Sequence, residues 1–113
     1  MPPRPPALGE FELVVLLAVL HLVEHREPAY GSSIRDVIAA RANRPVARGA
    51  IYVTLDRLEG KRLLGSKLGD GGSERDHRPR RLFTVTASGL AAAKHAVSMV
   101  NRMQAGLEPV LER

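Results

Sequence analysis

The segment GAIYVTLDRLEGKRLLGSK, residues 49–67, decides the fold, because it predicts a short helix that runs into a strand. At about 100° per residue, Ile51, Leu55 and Leu58 form one apolar stripe along that helix. The opposite face combines a glycine, an apolar residue and two charged residues, which are Gly49, Val53, Asp56 and Arg57. Tyr52 also lies off the apolar stripe. A helix face of this composition predicts contact with a partner.

The length and composition indicate one small domain without covalent cross-links. A chain of 113 residues can form a single core but is too short to hold a deep catalytic cleft as well. It contains no cysteine, which argues against a disulfide framework or a thiolate zinc site. The longest apolar run, residues 13–20, is well short of the ~18 residues that a membrane span needs. We therefore expect a cytoplasmic protein without membrane contact.

The formal net charge is +5, and the excess positive charge lies in the middle of the chain. Residues 41–81 contain eleven Lys or Arg against five Asp or Glu, whereas residues 1–40 sum to −2. Clustered basic residues are typical of proteins that bind a polyanion, although a solvated basic face without a partner has the same composition. Charge alone leaves both interpretations open.

The first helix is predicted at residues 10–25, after a proline-rich leader at residues 1–7. It is apolar on nearly every side, unlike a surface helix of a monomer. One side is expected to pack under its own domain. The other is covered by a second subunit or by a neighbouring helix of the same chain. The residues expected to face a second subunit are Phe11, Val15, Val19 and Leu22.

Two short helices joined by a tight turn are predicted next. Ser32 or Ser33 can cap the second helix, which is expected to end near Arg41. Pro45 moves the preceding residue out of the helical region, so the third helix is expected at residues 47–61.

A β-hairpin and a last helix complete the chain. The strands are predicted at LLGSKL, residues 63–68, and RLFTVT, residues 81–86, with a long charged loop between them. Thr86 can cap the last helix, which Gly106 and Pro109 are expected to end. The outward apolar residues of this helix predict the second part of a subunit interface, at Val97, Val100, Met103 and Leu107.

The order helix, helix, helix, strand, strand, helix is that of a winged helix-turn-helix domain, mainly α with a small β-hairpin. Its third helix enters the major groove of DNA, and the hairpin follows the backbone. Gly49 would permit close approach, Tyr52 would reach a phosphate and Val53 a thymine methyl group. Alternatively, Tyr52 packs at the domain edge. Asp56 either orients Arg57, accepts a hydrogen bond from a cytosine amino group, or is simply tolerated at the edge of the DNA groove. The residues expected to bind DNA are Tyr30, Arg48, Gly49, Tyr52, Val53, Arg57, Arg75, His77, Arg78 and Arg80.

Three segments in this order resemble the PadR family of bacterial transcriptional regulators: AYGSSIRDVI, PVARGAIYVTLDRLEGKRLL and HRPRRLFTVTASG. The resemblance covers residues 8–90. Its most specific part is G-A-I-Y followed by L-x-x-L-E, then R-x-R-R before F-x-V-T-x-x-G. The short last helix is similar to the small branch of the family. The resemblance implies a dimeric repressor, usually of its own gene, that is released from DNA by a small-molecule effector or a stress signal.

A two-fold dimer would place two recognition helices ~34 Å apart and would bind an inverted-repeat operator. Three positions depart from the family pattern. Ala47 stands where the family commonly has a capping serine, and both Arg62 and His77 stand where it often has glycine. If position 62 requires a positive φ, its arginine is strained unless Gly60 or Gly65 shifts the end of the helix.

Other kinds of site find little support in the sequence. His21 and His25 have a spacing that could hold a metal, but no further ligand completes the set. No catalytic constellation is recognisable, so we expect no enzyme and no cofactor. The alternative to DNA binding is a winged-helix module that binds a protein, since fold does not fix function. We divide the chain into the leader 1–7, a DNA-binding domain 8–86, and a dimerisation helix with its tail, 87–113.

Overall fold

The computed structural model describes residues 7–71 and 79–113. In chain order these residues form α1 (Glu10–Glu24), α2 (Gly31–Arg41), α3 (Arg48–Gly60), β1 (Leu64–Gly71), β2 (Pro79–Val85), α4 (Ala87–Gln104) and α5 (Glu108–Leu111). The mainly helical fold with a two-stranded antiparallel hairpin is confirmed. We call the hairpin β1–β2 the wing.

Helix α1 is the central element and packs against α2, α3, α4 and β2. Val15 and Val19 are 0% exposed and Leu22 is 3% exposed. The expectation that these three residues face a second subunit is therefore wrong, because the other elements of the same chain cover them. Phe11 is only half-buried, and the Arg44 guanidinium lies 5.5 Å from the centroid of its ring.

Helix α2 begins at Gly31 with Tyr30 at its N-cap position, so it starts before either predicted serine cap. Ser33 caps it from inside the first turn. Its hydroxyl accepts a hydrogen bond from the Tyr30 N–H at 2.9 Å and donates one to the Pro28 carbonyl at 2.8 Å. The start of α2 is therefore fixed by a side chain three residues downstream of Tyr30.

Helix α3 buries the stripe that the sequence predicts, since Ile51, Leu55 and Leu58 all lie in the core. Ala47 precedes the helix and offers no side-chain cap. A serine at this position would satisfy one more backbone N–H, at a gain of about 1 kcal/mol. The first turn of α3 is therefore held mainly by the packing of its apolar side.

The turn from α3 into the wing requires a positive φ at Arg62, which has φ +61°. The Arg62 N–H donates to the Glu59 carbonyl and the Leu63 N–H donates to the Leu58 carbonyl, both at 2.9 Å. This pair of hydrogen bonds is a Schellman C-cap, in which glycine is the usual residue at the left-handed position. The Thr86 hydroxyl also donates to the Arg62 carbonyl at 2.8 Å. Neither neighbouring glycine shifts the end of the helix.

The two strands pair in register from Leu64 opposite Val85 to Leu68 opposite Arg81, with an irregularity before Gly71. Phe83 anchors the wing to the core. Its side chain is 1% exposed, and its N–H donates to the carbonyl of Ala29 at 2.9 Å. The base of the wing is thus fixed to the loop that precedes α2.

Helix α4 begins where the sequence predicts, because the Thr86 hydroxyl accepts a hydrogen bond from the Gly89 N–H at 3.0 Å. A Cβ on Gly89 would lie 2.0 Å from the Leu63 carbonyl oxygen, so only glycine allows this approach. The sequence predicts that Pro109 helps to end the last helix. Instead, Pro109 lies in the first turn of a further short helix, α5. Proline is tolerated there because the first N–H groups of a helix have no partner within it.

Across residues 7–71 and 79–113, no helix combines the length and the apolar character that crossing a bilayer requires.

Candidate nucleic-acid interface

The outward side of α3 is exposed, as the sequence predicts. Gly49, Val53 and Arg57 follow one another at intervals of four residues and all face solvent, with Val53 57% exposed. A Cβ on Gly49 would meet no atom of the described residues within 4 Å apart from the local helix backbone, so the glycine leaves open space at the start of the helix. At its start, the exposed side of α3 therefore lets a partner come close to the helix backbone, and in its middle it offers an apolar contact.

A groove of ≈ 380 Å³ lies beside this face, between the first turns of α2 and α3 and the strand β2. Two arginines stack on two tyrosines at its rim. The Arg48 guanidinium lies 5.7 Å from the centroid of the Tyr52 ring, and the Arg80 guanidinium lies 5.4 Å from that of Tyr30. Stacking on a ring holds a guanidinium while leaving N–H groups to donate to an anion.

Glycines make room for both tyrosine rings. A Cβ on Gly31 would lie 2.6 Å from the Tyr52 hydroxyl oxygen, and one on Gly69 would lie 3.3 Å from the Tyr30 ring. Tyr52 is half-buried and packs against the core, which agrees with the edge-packing alternative for its ring. Its hydroxyl end nevertheless reaches the groove.

Acidic residues neutralise some of the arginines and leave others with their charge. Arg44 pairs with Glu10 at 2.7 Å, and Arg81 pairs with Asp56 at 2.7 Å and with Glu59. Within the part of the chain that the structure describes, Arg48, Arg57 and Arg80 form no ion pair, and neither does Arg35, which also lines the groove. The resulting surface is positively charged.

Arg81 joins the wing to α3. Its two terminal nitrogens donate to Asp56 and Glu59, and its guanidinium lies 5.0 Å from the centroid of the Phe83 ring. The Ser66 hydroxyl donates to the second oxygen of Glu59. The hydrogen bond to Asp56 raises the pKa of Arg81, and Glu59 adds to this shift although burial opposes it. Sequence reasoning missed this cluster and considered only Arg57 or a base as partners of Asp56.

Three of the residues expected to bind DNA, Arg75, His77 and Arg78, lie outside the described residues. Arg80, at the end of the same charged segment, is exposed at the start of β2. The structure thus brings Arg80 and Tyr30 together with Arg48 and Tyr52 of α3.

A second groove, of ≈ 560 Å³, lies between α1 and α4 on another part of the surface. Its apolar lining includes Leu17 and Leu20 of α1 and Val97 of α4. Helix α4 continues beyond it with Val100 and Met103, and Leu107 follows the end of the helix. These three residues are 44%, 71% and 47% exposed. Leu17 and Leu20 were not singled out from the sequence. A helix that is apolar all round carries no periodic signal for which side is covered.

The two histidines of α1 stack on each other, with ring centroids 6.3 Å apart. Burial lowers the pKa of His21, and the charges of Arg41 and His25 add to this shift. Among the residues that the structure describes, no group of three or more acidic, histidine or cysteine side chains could hold a metal ion.

The sequence matches the Transcriptional regulator PadR-like family over residues 19–95. The structure is similar to a PadR family transcriptional regulator from Eggerthella lenta DSM 2243, with 30% identity, a TM-score of 0.64 and coverage of 90% of this chain and 88% of that chain. For a PadR-like transcription factor from Bacteroides fragilis the identity is 24%, the TM-score 0.69 and the coverage 90% of both chains. A winged-helix DNA-binding protein from STIV has 13% identity, a TM-score of 0.67 and coverage of 89% and 98%. No curated protein matches the chain.

Proposed function

The chain belongs to the PadR-like family of transcriptional regulators, and we propose that it is a dimeric repressor that binds double-stranded DNA through α3 and the wing. The family is one of regulators and not of enzymes. One observation carries the proposal. The outward side of α3 and the neighbouring groove carry arginines that form no ion pair within the described residues, among them Arg48, Arg57 and Arg80.

Helix α3 would read base edges in the major groove. The open space at Gly49 lets the start of the helix approach the floor of the groove, and the exposed Val53 can contact a thymine methyl group. Arg57 lies one turn further along the same side and can donate to guanine or to a flanking phosphate. Sequence specificity would therefore come from this side of α3.

Phosphate contacts would come from the groove rim and the wing. Tyr30, Arg48, Tyr52 and Arg80 border one groove, so a single strand of the DNA backbone can run past all four. Such contacts fix the position of the protein on the duplex without reading its sequence. Further contacts are proposed from the segment between the strands, at Arg75, His77 and Arg78.

The subunit interface would consist of the groove between α1 and α4 and the exposed apolar side of α4. Leu17 and Leu20 take the place of the three buried residues of α1, and Phe11 remains a candidate at the edge. On α4 and beyond, the interface would use Val97, Val100, Met103 and Leu107. A surface with this many exposed apolar side chains is typical of a contact with another protein. A second copy, related by a two-fold axis, would present two α3 helices to an inverted repeat.

Repression relieved by a small-molecule effector or a stress signal is what the family resemblance implies, and we include it in the proposal. A dimer seated on the operator would exclude other proteins from the same segment of DNA. An effector would act by favouring a dimer whose two α3 helices no longer match the spacing of the half-sites. Because the proposed partner is DNA, we place the protein in the cytoplasm.

Selection from a random library of DNA duplexes by the purified full chain tests the proposal. We expect enrichment of an inverted repeat with half-sites about one helical turn apart. The double variant Arg48→Gln and Arg57→Gln should enrich no sequence, whereas Arg113→Gln, at the far end of the chain, should enrich the same repeat. If the parent protein enriched no sequence, the DNA-binding proposal would fail and the alternative of a protein-binding winged helix would be favoured. Sedimentation as a monomer at micromolar concentration would contradict the dimer.

A further inference from the structure

Arg80 and Arg81 are adjacent in β2 but have different surroundings. Side chains alternate between the two faces of a strand, and here Arg80 stacks on Tyr30 of the groove rim whereas Arg81 turns towards α3. Both terminal nitrogens of Arg81 donate to carboxylates of α3. Two N–H donors of the Arg81 guanidinium are therefore already used by carboxylates, although the residue also borders the groove.

Asp56 would be unfavourable on a DNA-binding helix if it acted alone. It is exposed on α3, and a carboxylate there repels phosphates. Its hydrogen bond with Arg81, at 2.7 Å, changes this role, because the carboxylate now holds a strand of the wing. Glu59, one turn further along α3, holds the same guanidinium and also accepts from Ser66 of β1. Both strands of the wing are thus tied to one side of α3.

We infer that Arg81 is a positioning residue, which Asp56 and Glu59 hold so that the wing keeps one orientation relative to α3 and Arg80 is placed for its phosphate contact. This inference rests on the proposed DNA-binding function. The planar fork of a guanidinium can span two carboxylates, whereas the single ammonium of lysine cannot reproduce that geometry. The charge of Arg81 is therefore not sufficient for its role, and its shape matters.

The orientation of the wing can be measured in the free protein, without DNA. The chain has no cysteine, so two spin labels can be attached at exposed sites by Lys67→Cys in β1 and Ala40→Cys in α2, with unlabelled protein added to suppress distances between subunits. We expect a narrow distance distribution that broadens when Asp56→Asn or Arg81→Lys is added. Asp36→Asn is the matched control, because this exposed acid of α2 lines the groove without an ion pair in the described residues. Distributions that stay unchanged in both test variants would overturn the inference, whether or not the protein binds DNA.

Binding to the selected duplex gives a second readout, in which neutralising Asp36 and neutralising Asp56 should change the affinity in opposite directions. Removing the charge of Asp36 should strengthen binding, since it removes a repulsion. Asp56→Asn should weaken binding by about two- to fivefold, the range expected for ion pairs at largely exposed sites. Arg81→Lys should weaken it similarly, with the slope of log affinity against log salt unchanged because no phosphate contact is lost. Thermal unfolding confirms that each variant is folded. Tighter binding by Asp56→Asn, or a flatter salt slope in Arg81→Lys, would overturn the inference.

Discussion

Replacing Arg62 by glycine should stabilise the protein. Arg62 has φ +61°, a conformation that side chains other than glycine rarely adopt. The residue cannot relax, because the hydrogen bonds of its own N–H to Glu59 and of Leu63 to Leu58 form only in this conformation. The Thr86 hydroxyl holds its carbonyl as well. The conformational strain is therefore present in the folded protein and absent in the unfolded chain.

The expected gain follows from two opposing terms. A residue with a Cβ loses about 1–2 kcal/mol in the left-handed region, which glycine does not. Glycine also makes the unfolded chain more flexible, which offsets about 0.5–1 kcal/mol of that gain. We expect a net stabilisation of about 0.5–1 kcal/mol, which corresponds to a rise in Tm of roughly 2–6 °C for a domain of this size.

Urea and thermal unfolding at one fixed protein concentration would measure this gain, and Arg62→Ala is the control. Alanine removes the same charge and the same long side chain but keeps the Cβ, so it should not stabilise the protein. If Arg62→Gly and Arg62→Ala had equal stability, the strain at this position would not be the cause and the reasoning would be refuted.

Three further predictions concern single side chains. Gly49→Leu should abolish binding to the selected duplex without lowering Tm, because no described residue beyond the local helix backbone comes within 4 Å of the added Cβ; undiminished affinity would contradict the docking of α3. Arg80→Gln should flatten the plot of log affinity against log salt by about 0.9, and a parallel plot would rule out its phosphate contact. Burial raises the pKa of Glu12, but hydrogen bonds from Lys61 and the Gly9 N–H outweigh this and hold it below its ordinary value of 4.5. The ionised Glu12 carboxylate therefore stabilises the fold fully above its ordinary pKa, and this stabilisation is lost as the pH falls through the pKa of the folded state. The unfolding free energies of the parent and Glu12→Gln should converge in acid, and a constant difference would disprove the linkage.

The elements with local signals could be predicted from the sequence. Thr86 caps α4 through a hydrogen bond to a residue three positions later, and the buried stripe of α3 repeats within one helix. Both depend only on neighbours in the chain. The strain at Arg62 could also be predicted, because the family pattern has glycine there. The start of α5 was missed because Pro109 was interpreted as a terminator, although proline is also common in the first turn of a helix.

Features that depend on distant neighbours could not be predicted. Helix α1 is apolar on nearly every side, so its sequence cannot distinguish the buried Val15 and Val19 from Leu17 and Leu20, which line the groove with α4. The partner of Asp56 lies 25 residues away in the wing. Such a pair becomes visible only when the hairpin has been placed against α3.

The central claim, that α3 docks in the major groove as one half of a two-fold pair, is tested most directly by methylation protection on the selected duplex. Dimethyl sulfate modifies guanine N7, which lies in the major groove. The structure leads us to expect protected guanines in two successive major grooves on one face of the duplex, ~34 Å apart and symmetric about a centre. Full reactivity of the major-groove guanines while the duplex is bound, or protection of a single segment, would contradict this docking.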